Sequence, residues 1–348
     1  MADQVDFGKT RNGKTAQLYT IKNGKGMSLS VTDYGAAMVK LLVPDSNGKL
    51  IDVIWGFENV SGYEATPTYM GATIGRHAGQ IEKGRFMLNG TEYKLVINDH
   101  DHTMHGGPEG FHSRMFELKD FDESKIMLLY RSPSLEAGFP GSLDVYVTYE
   151  LTDDNELIID FEGISDDNTV LSMTNHAYFN LDGEASDSIL THRLRIPAKQ
   201  YTQVDNQGLP TGRVLDVAGS PFDFNQFREV GKLISDPHEE LKFCKGYDHN
   251  WIIDADESYN GLRLNCELMN SQGTVHMKLY SNQPGLQMYS GNYLNGSDVG
   301  KNGKAYVFRS ALCLEPQKFP NGLNHPHFPS PILKAGEDYV YKSVYKFS

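Results

Sequence analysis

Cysteine is scarce in this sequence: Cys244, Cys266 and Cys313 are the only three among 348 residues. An odd number without any C-x-x-C spacing points to neither a zinc site nor a redox pair, and the three are expected to be buried thiols. Positive charge is also in deficit. With 32 Lys and Arg against 45 Asp and Glu, the net charge is −13, which repels phosphate backbones and anionic lipid and argues against nucleic-acid or membrane-surface partners. No apolar run approaches the length that crosses a bilayer. The acidic start Met1-Ala2-Asp3-Gln4-Val5-Asp6 lacks the basic and apolar regions of a secretory signal, so a cytoplasmic protein is expected. Helical periodicity is scarce as well. Phe227, Val230, Leu233 and Ile234 make the best case, for one short helix, so repeated βαβ units and the nucleotide folds built from them are set aside. No low-complexity linker and no repeat of fixed period occurs, which predicts one domain over residues 1–348.

What is present is alternation with period two. Leu143, Val145, Val147, Tyr149 and Leu151 share one face, with Asp144, Tyr146, Thr148 and Glu150 on the other, the pattern of a half-buried strand. Residues 37–43 and 50–55 flank Pro44-Asp45-Ser46-Asn47-Gly48, and residues 86–88 and 93–96 flank Asn89-Gly90, as hairpins require. Further strands are expected at 125–130, 157–163, 263–268, 274–280, 305–314 and 339–346. Nineteen Tyr, 17 Phe and 34 Gly suit sheets that pack aromatics on pleated faces and turn often. The fold class is therefore all-β, and a single large antiparallel β-sandwich is expected.

Three clusters carry ionisable groups beside glycines or on strands. In Met104-His105-Gly106-Gly107, the glycines are expected to let backbone approach a ligand while His105 points into a cleft. In Thr174-Asn175-His176-Ala177-Tyr178-Phe179-Asn180, alternation puts His176, Tyr178 and Asn180 on one face, a polar stripe that needs a partner or a ligand to offset its desolvation. In Leu312-Cys313-Leu314-Glu315-Pro316-Gln317, proline is expected to stop the ladder and leave Glu315 at a strand end, either as a surface charge or as a base delivered to a pocket. Asp248 in Gly246-Tyr247-Asp248-His249 and Gln287 in Pro284-Gly285-Leu286-Gln287 add groups that bind hydroxyls.

Taken in this order, the motifs resemble those of the aldose 1-epimerase family, the galactose mutarotases, from about Gly71 to Pro326. His-Gly-Gly, Asn-His-x-Tyr-Phe-Asn-Leu, Gly-x-Asp-His and Leu-Glu-x-Gln carry the likeness, with the turn Gly138-Phe139-Pro140-Gly141. The resemblance implies a galactose-mutarotase-like β-sandwich without cofactor or metal, and a monosaccharide as the partner. It implies Glu315 as general base, His176 as general acid, and His105, Asp248 and Gln287 as sugar contacts. Tyr178, on the face of His176, is grouped with them. The chemistry suits these types: opening a hexopyranose removes a proton from the anomeric hydroxyl and gives one to the ring oxygen. An ionised carboxylate is expected to accept, and an imidazole with a modestly shifted pKa to donate.

One segment departs from the family pattern. Gln80, in Gly75-Arg76-His77-Ala78-Gly79-Gln80-Ile81, stands where the family carries an arginine. Glutamine keeps donors for hydroxyls but loses the charged fork, so altered sugar binding is expected; His77 is expected to be structural and the role of Arg76 stays open. Three other functions compete. His100, His102 and His105, with His325 and His327, could hold a metal. A sugar-binding homologue without catalysis, or an epimerase of hexose 6-phosphates, could share the fold; the second would want clustered Lys or Arg. The choice among aldoses, and between monomer and homodimer, is left open.

Overall fold

The computed structural model describes residues 3–184 and 186–348. Three antiparallel sheets dominate. The first is an N-terminal meander of five strands in chain order, Asp3–Lys9 to Leu50–Asp52. The second is a ten-stranded sheet built around Lys125–Ser132, Leu143–Leu151, Glu156–Ser165, Tyr339–Phe347, His276–Ser281 and Leu262–Met269 in that spatial order. The third runs Tyr178–Phe179, Leu312–Gln317, Gly285–Tyr289, Asp248–Ile252, Gln200–Val204 and Pro210–Asp216.

The alternation read from the sequence fixes how these sheets face each other. Leu143, Val145, Val147, Tyr149 and Leu151 are all buried and belong to one continuous apolar cluster. That cluster takes Ile21 and Leu29 from the meander and Leu286, Met288, Leu312 and Leu314 from the six-stranded sheet. Each such side chain removed from water contributes about 1.5–3 kcal/mol, so the burial of one face sets the register of every strand. The six-stranded sheet thus turns leucines inward. Its other face is free for chemistry.

The expected hairpins form, Ala37–Pro44 with Leu50–Asp52 and Arg85–Leu88 with Thr91–Lys94, and all three cysteines are buried. Three expectations are corrected. Residues 227–234 do not form a helix: Arg228–Glu229 pairs with Arg193 and Leu194, and only a 3-10 turn follows at Val230–Lys232. Backbone hydrogen bonds from the Val230 and Gly231 N–H groups to the carbonyls of His192 and Leu190, beside the pairing of Arg228–Glu229, outweigh a weak periodicity. The α-helices among the described residues are short, Val60–Ala65 and Glu239–Phe243. The strand expected at 305–314 spans Leu312–Gln317 instead. Pro316 does not stop that strand, because Pro316 and Gln317 stay in register with Leu286 and Gly285. On its other flank the pairing involves only Leu312 and Cys313, so beyond them proline's missing N–H removes no ladder bond. No helix among the described residues is long and apolar enough to cross a membrane.

Candidate functional site

The face of the six-stranded sheet turned away from the core is a lattice of polar side chains. Residues directly opposite in an antiparallel ladder share a face, and the pairs Glu315 with Gln287, Gln287 with Asn250, Tyr289 with Asp248, and Cys313 with Tyr178 put all seven on one side. A slip of one residue in Leu312–Gln317 would bury Glu315 among leucines and present Leu314 instead. Glu315 is 2% exposed and lies inside the strand, flanked by paired backbone.

Above this floor lies a cavity of about 370 Å³, at the small end of ligand-binding cavities. Glu315, His176, His105, Asp248, Gln287, Gln80 and Tyr178 all line it. Asn180, expected on the same face as His176, does not: the segment runs as two short strands, Thr174–Asn175 and Tyr178–Phe179, and the second ends before Asn180, where alternation no longer holds. The Asn180 amide is buried and donates to the Ser310 carbonyl at 2.8 Å. His176 hangs in the gap, its backbone N–H bonded to the Ala72 carbonyl and its own carbonyl to the Gly71 N–H.

His176 Nε2 lies 3.7 Å from Glu315 Oε1. The His105 ring stands edge-on to His176 at 5.2 Å between centroids. His105 Nδ1 accepts a hydrogen bond from the Gly79 N–H at 3.2 Å, which places the ring proton on Nε2. The first glycine after it serves the packing of the chain. At Gly106 (φ +82°) a Cβ would sit 2.1 Å from the Gly75 carbonyl oxygen, so the loop can pass this close only with glycine there. Gln287 Nε2 donates to Asp248 Oδ1 at 2.8 Å. Gln80 pairs across a two-residue ladder with Met104.

Several buried atoms of this floor, Glu315 Oε2, Gln287 Oε1 and both amide atoms of Gln317, have no hydrogen-bond partner among the described residues. An unpaired buried polar atom costs about 1–3 kcal/mol. A ligand carrying several hydroxyls would satisfy them together. The lining includes the carboxyl groups Asp99, Asp248 and Glu315 and, among the described residues, no lysine or arginine.

Burial also sets the protonation states, and not as the sequence suggested. It holds Glu315 well above the ordinary carboxylate range, with Asp248 adding to the effect, and lowers His176 to about 4. Asp248 is raised to about 7, again by burial, which the hydrogen bond from Gln287 partly offsets. His105 is pushed well below 6.5 by burial and then by the neighbouring His176. The expectation of an ionised glutamate beside a partly protonated histidine is therefore corrected: in the closed cavity the uncharged forms of both are favoured, because each would otherwise carry a desolvated charge.

Sequence reasoning missed Tyr69, Gln207 and Tyr293, which also line the cavity. Tyr69 contacts the rings of His105, His112 and His176 at 4.7–5.9 Å. No motif surrounds these three, and only the convergence of separate loops reveals them. The histidines weighed as metal ligands are otherwise engaged. His102 accepts from the Lys83 N–H and bonds Gln207 Oε1 at 2.7 Å, and His325 and His327 reach the carbonyls of Pro210 and Gly212. Arg76 points away from the cavity. Its guanidinium donates to the carbonyls of Ser132, Pro133, Pro140 and Gly141 and to the hydroxyls of Ser132 and Thr169. The Gly138–Gly141 turn is thus a docking station for Arg76. His77 is fully buried outside the cavity.

Comparison with known proteins agrees with this geometry. Residues 17–346 match the family described as aldose 1-epimerase. A galactose mutarotase of Homo sapiens is 37% identical over 323 residues, 92% of this chain and 91% of that protein. An aldose 1-epimerase of Escherichia coli K12 is 32% identical over 338 residues, 97% of this chain and 96% of its own. The crystal structure of a GalM/aldose epimerase homologue from C. elegans superposes with a TM-score of 0.88 at 29% identity, covering 96% of this chain and 99% of the other. Sheet order, core pattern and sequence relatives together place the chain in the aldose 1-epimerase family of isomerases.

Proposed function

We propose that this protein interconverts the α and β anomers of free aldohexoses such as galactose and glucose, with Glu315 as general base and His176 as general acid. The observation that carries this reading is the 3.7 Å approach of His176 Nε2 to Glu315 Oε1 on the floor of a cavity whose unpaired atoms call for hydroxyl groups. In the empty cavity the pair holds one proton, on the carboxyl group. Sugar hydroxyls donating to Glu315 stabilise its anion, and the proton passes to His176 across that gap. Glu315 then takes the proton of the anomeric hydroxyl, whose O–H electrons become the C1=O1 π bond. The C1–O5 bond breaks, and its electron pair takes the His176 proton on O5. Rotation about C1–C2 turns the aldehyde over, and the reverse steps close the other anomer. His105, Asp248, Gln287, Gln80 and Tyr178 hold the remaining hydroxyls. The continuous core supports reading the chain as one domain.

Polarimetry on freshly dissolved α-galactose, α-glucose and their 6-phosphates tests this reading. Acceleration confined to the free sugars is expected, because among the described residues no lysine or arginine lines the cavity and a phosphate dianion would find no charge-assisted donor there. Calorimetric binding of galactose without acceleration would mean that the fold binds sugar and does no chemistry.

Gln80 adjusts this site. Its side chain has no hydrogen-bond partner among the described residues, and it stands beside the His105 loop. Gln80→Arg is expected to lower KM for galactose by roughly 10-fold, the value of one charge-assisted hydrogen bond, with kcat little changed. Unchanged kinetics would remove Gln80 from the sugar contacts.

A further inference from the structure

We propose that the cavity floor is also a binding site for a thiophilic divalent cation, Zn²⁺ above all, formed by His176, Cys313 and Glu315 and inhibitory when filled. Inhibition rests on the acid–base reading above, whereas binding does not. One nitrogen of His176, Cys313 Sγ and a carboxylate oxygen of Glu315 all lie within 4.8 Å of one another, and all three residues are buried. Glu315 Oε1 lies 3.7 Å from His176 Nε2 and Cys313 Sγ 3.6 Å from the other ring nitrogen, Nδ1, so the imidazole is wedged between the two other donors and offers a single nitrogen to the ion. Tetrahedral zinc, with ligand bonds of about 2.0–2.3 Å, sets its donors roughly 3.5 Å apart, so closing the triangle needs shifts of about 1 Å or less per side chain.

The ladder supplies the preorganisation. Cys313 and Glu315 are alternate residues of one strand and project to the same face. Tyr178, two residues after His176, pairs directly with Cys313, so the imidazole is anchored to the same strand. Charge matches as well. A thiolate and a carboxylate cancel the ion's two positive charges beside a neutral imidazole, in a cavity whose lining adds Asp248 and no cation among the described residues. Glu315 Oε2 has no competing partner there. Three protein ligands leave a fourth position for water. The thiolate and imidazole select zinc over magnesium or calcium, which prefer all-oxygen shells. A bound ion occupies both the lone pair of His176 and the carboxylate of Glu315, which stops proton transfer.

Calorimetry with ZnCl₂ in a non-chelating buffer, alongside Co²⁺ absorption and polarimetry, tests the site on the intact chain. The expected result is one Zn²⁺ per chain, displaced by galactose and by chelator, with no binding of Mg²⁺. Mutarotation is expected to fall in proportion to occupancy and to return after chelation. Bound Co²⁺ is expected to show a thiolate charge-transfer band, a signature read on the unaltered protein. Cys313→Ser is expected to weaken Zn²⁺ at least about 10–100-fold, the range lost on removing even an outer partner of a metal ligand. Co²⁺ bound without a thiolate band, or Zn²⁺ affinity unchanged in Cys313→Ser, would place the ion elsewhere and overturn the proposal. Absence of stoichiometric Zn²⁺ binding would do the same. Zn²⁺ bound at the thiolate of a protein that does not accelerate mutarotation would leave the metal site standing and refute the functional reading instead.

Discussion

Glu315→Gln and His176→Asn are each expected to slow mutarotation of α-galactose by about 10²–10⁴-fold, the usual contribution of one placed acid or base. Both replacements keep a polar group of similar size in the cavity, so KM should change little while kcat collapses. The two residues work on one proton, and the double variant should therefore be scarcely worse than either single one. The pH profile gives an independent check. His176 lies at about 4, so below that value the pair carries two protons and offers no base; the rate should fall there. Above it the pair keeps one proton until Glu315 titrates, and burial delays that loss to well beyond the ordinary carboxylate range. Ionisation of Asp248 near 7 places a negative charge beside Glu315, which raises Glu315 further and extends the active range upward. A Glu315→Gln variant with more than about a tenth of wild-type kcat, well short of the expected loss, would show that the carboxylate is not the base.

The second large effect concerns stability. Arg76→Leu is expected to destabilise the fold by about 3–5 kcal/mol, because it strips the charged donors from the carbonyls of Ser132, Pro133, Pro140 and Gly141 and from the hydroxyls of Ser132 and Thr169, most of them buried. At the entropy change of a chain this long, that is a drop in Tm of roughly 5 °C. Arg76 is 2% exposed, and burial lowers its pKa only to about 10, so it stays charged. Its backbone also pairs with Ser172, four residues before His176. The variant should therefore lose activity as it loses stability. Arg76→Lys should recover part of the stability, since an ammonium keeps the charge but cannot span the carbonyls that the planar fork reaches. A Tm unchanged in Arg76→Leu would show that these carbonyls find water instead.

The strands were legible because a side-chain period of two ties each position to a face, and the cavity-lining residues because their motifs resemble those of a known family. Leu312, Cys313, Leu314 and Glu315 announce a strand with one apolar and one reactive side, and Leu286 to Tyr289 repeats the pattern. Where the chain leaves that period, reading it fails. Asn180 leaves the expected face because the strand Tyr178–Phe179 ends before it, and Pro316 stays in its strand because one flank there is unpaired, which the sequence does not show. The 227–234 helix failed because pairing with Arg193–Arg195 supplied its backbone with partners that local periodicity cannot foresee.

Local pattern by itself determined the all-β class and the inward face of the strand Leu143–Leu151, while motifs resembling those of a known family pointed to the polar side chains of the cavity. Tertiary structure alone decided that Arg76 braces the Gly138–Gly141 turn, that Tyr69, Gln207 and Tyr293 join the cavity, and that burial favours the uncharged forms of Glu315 and His176. The division has one physical cause. Alternation is a property of neighbours along the chain, whereas desolvation and the convergence of loops depend on atoms brought together from segments far apart in sequence.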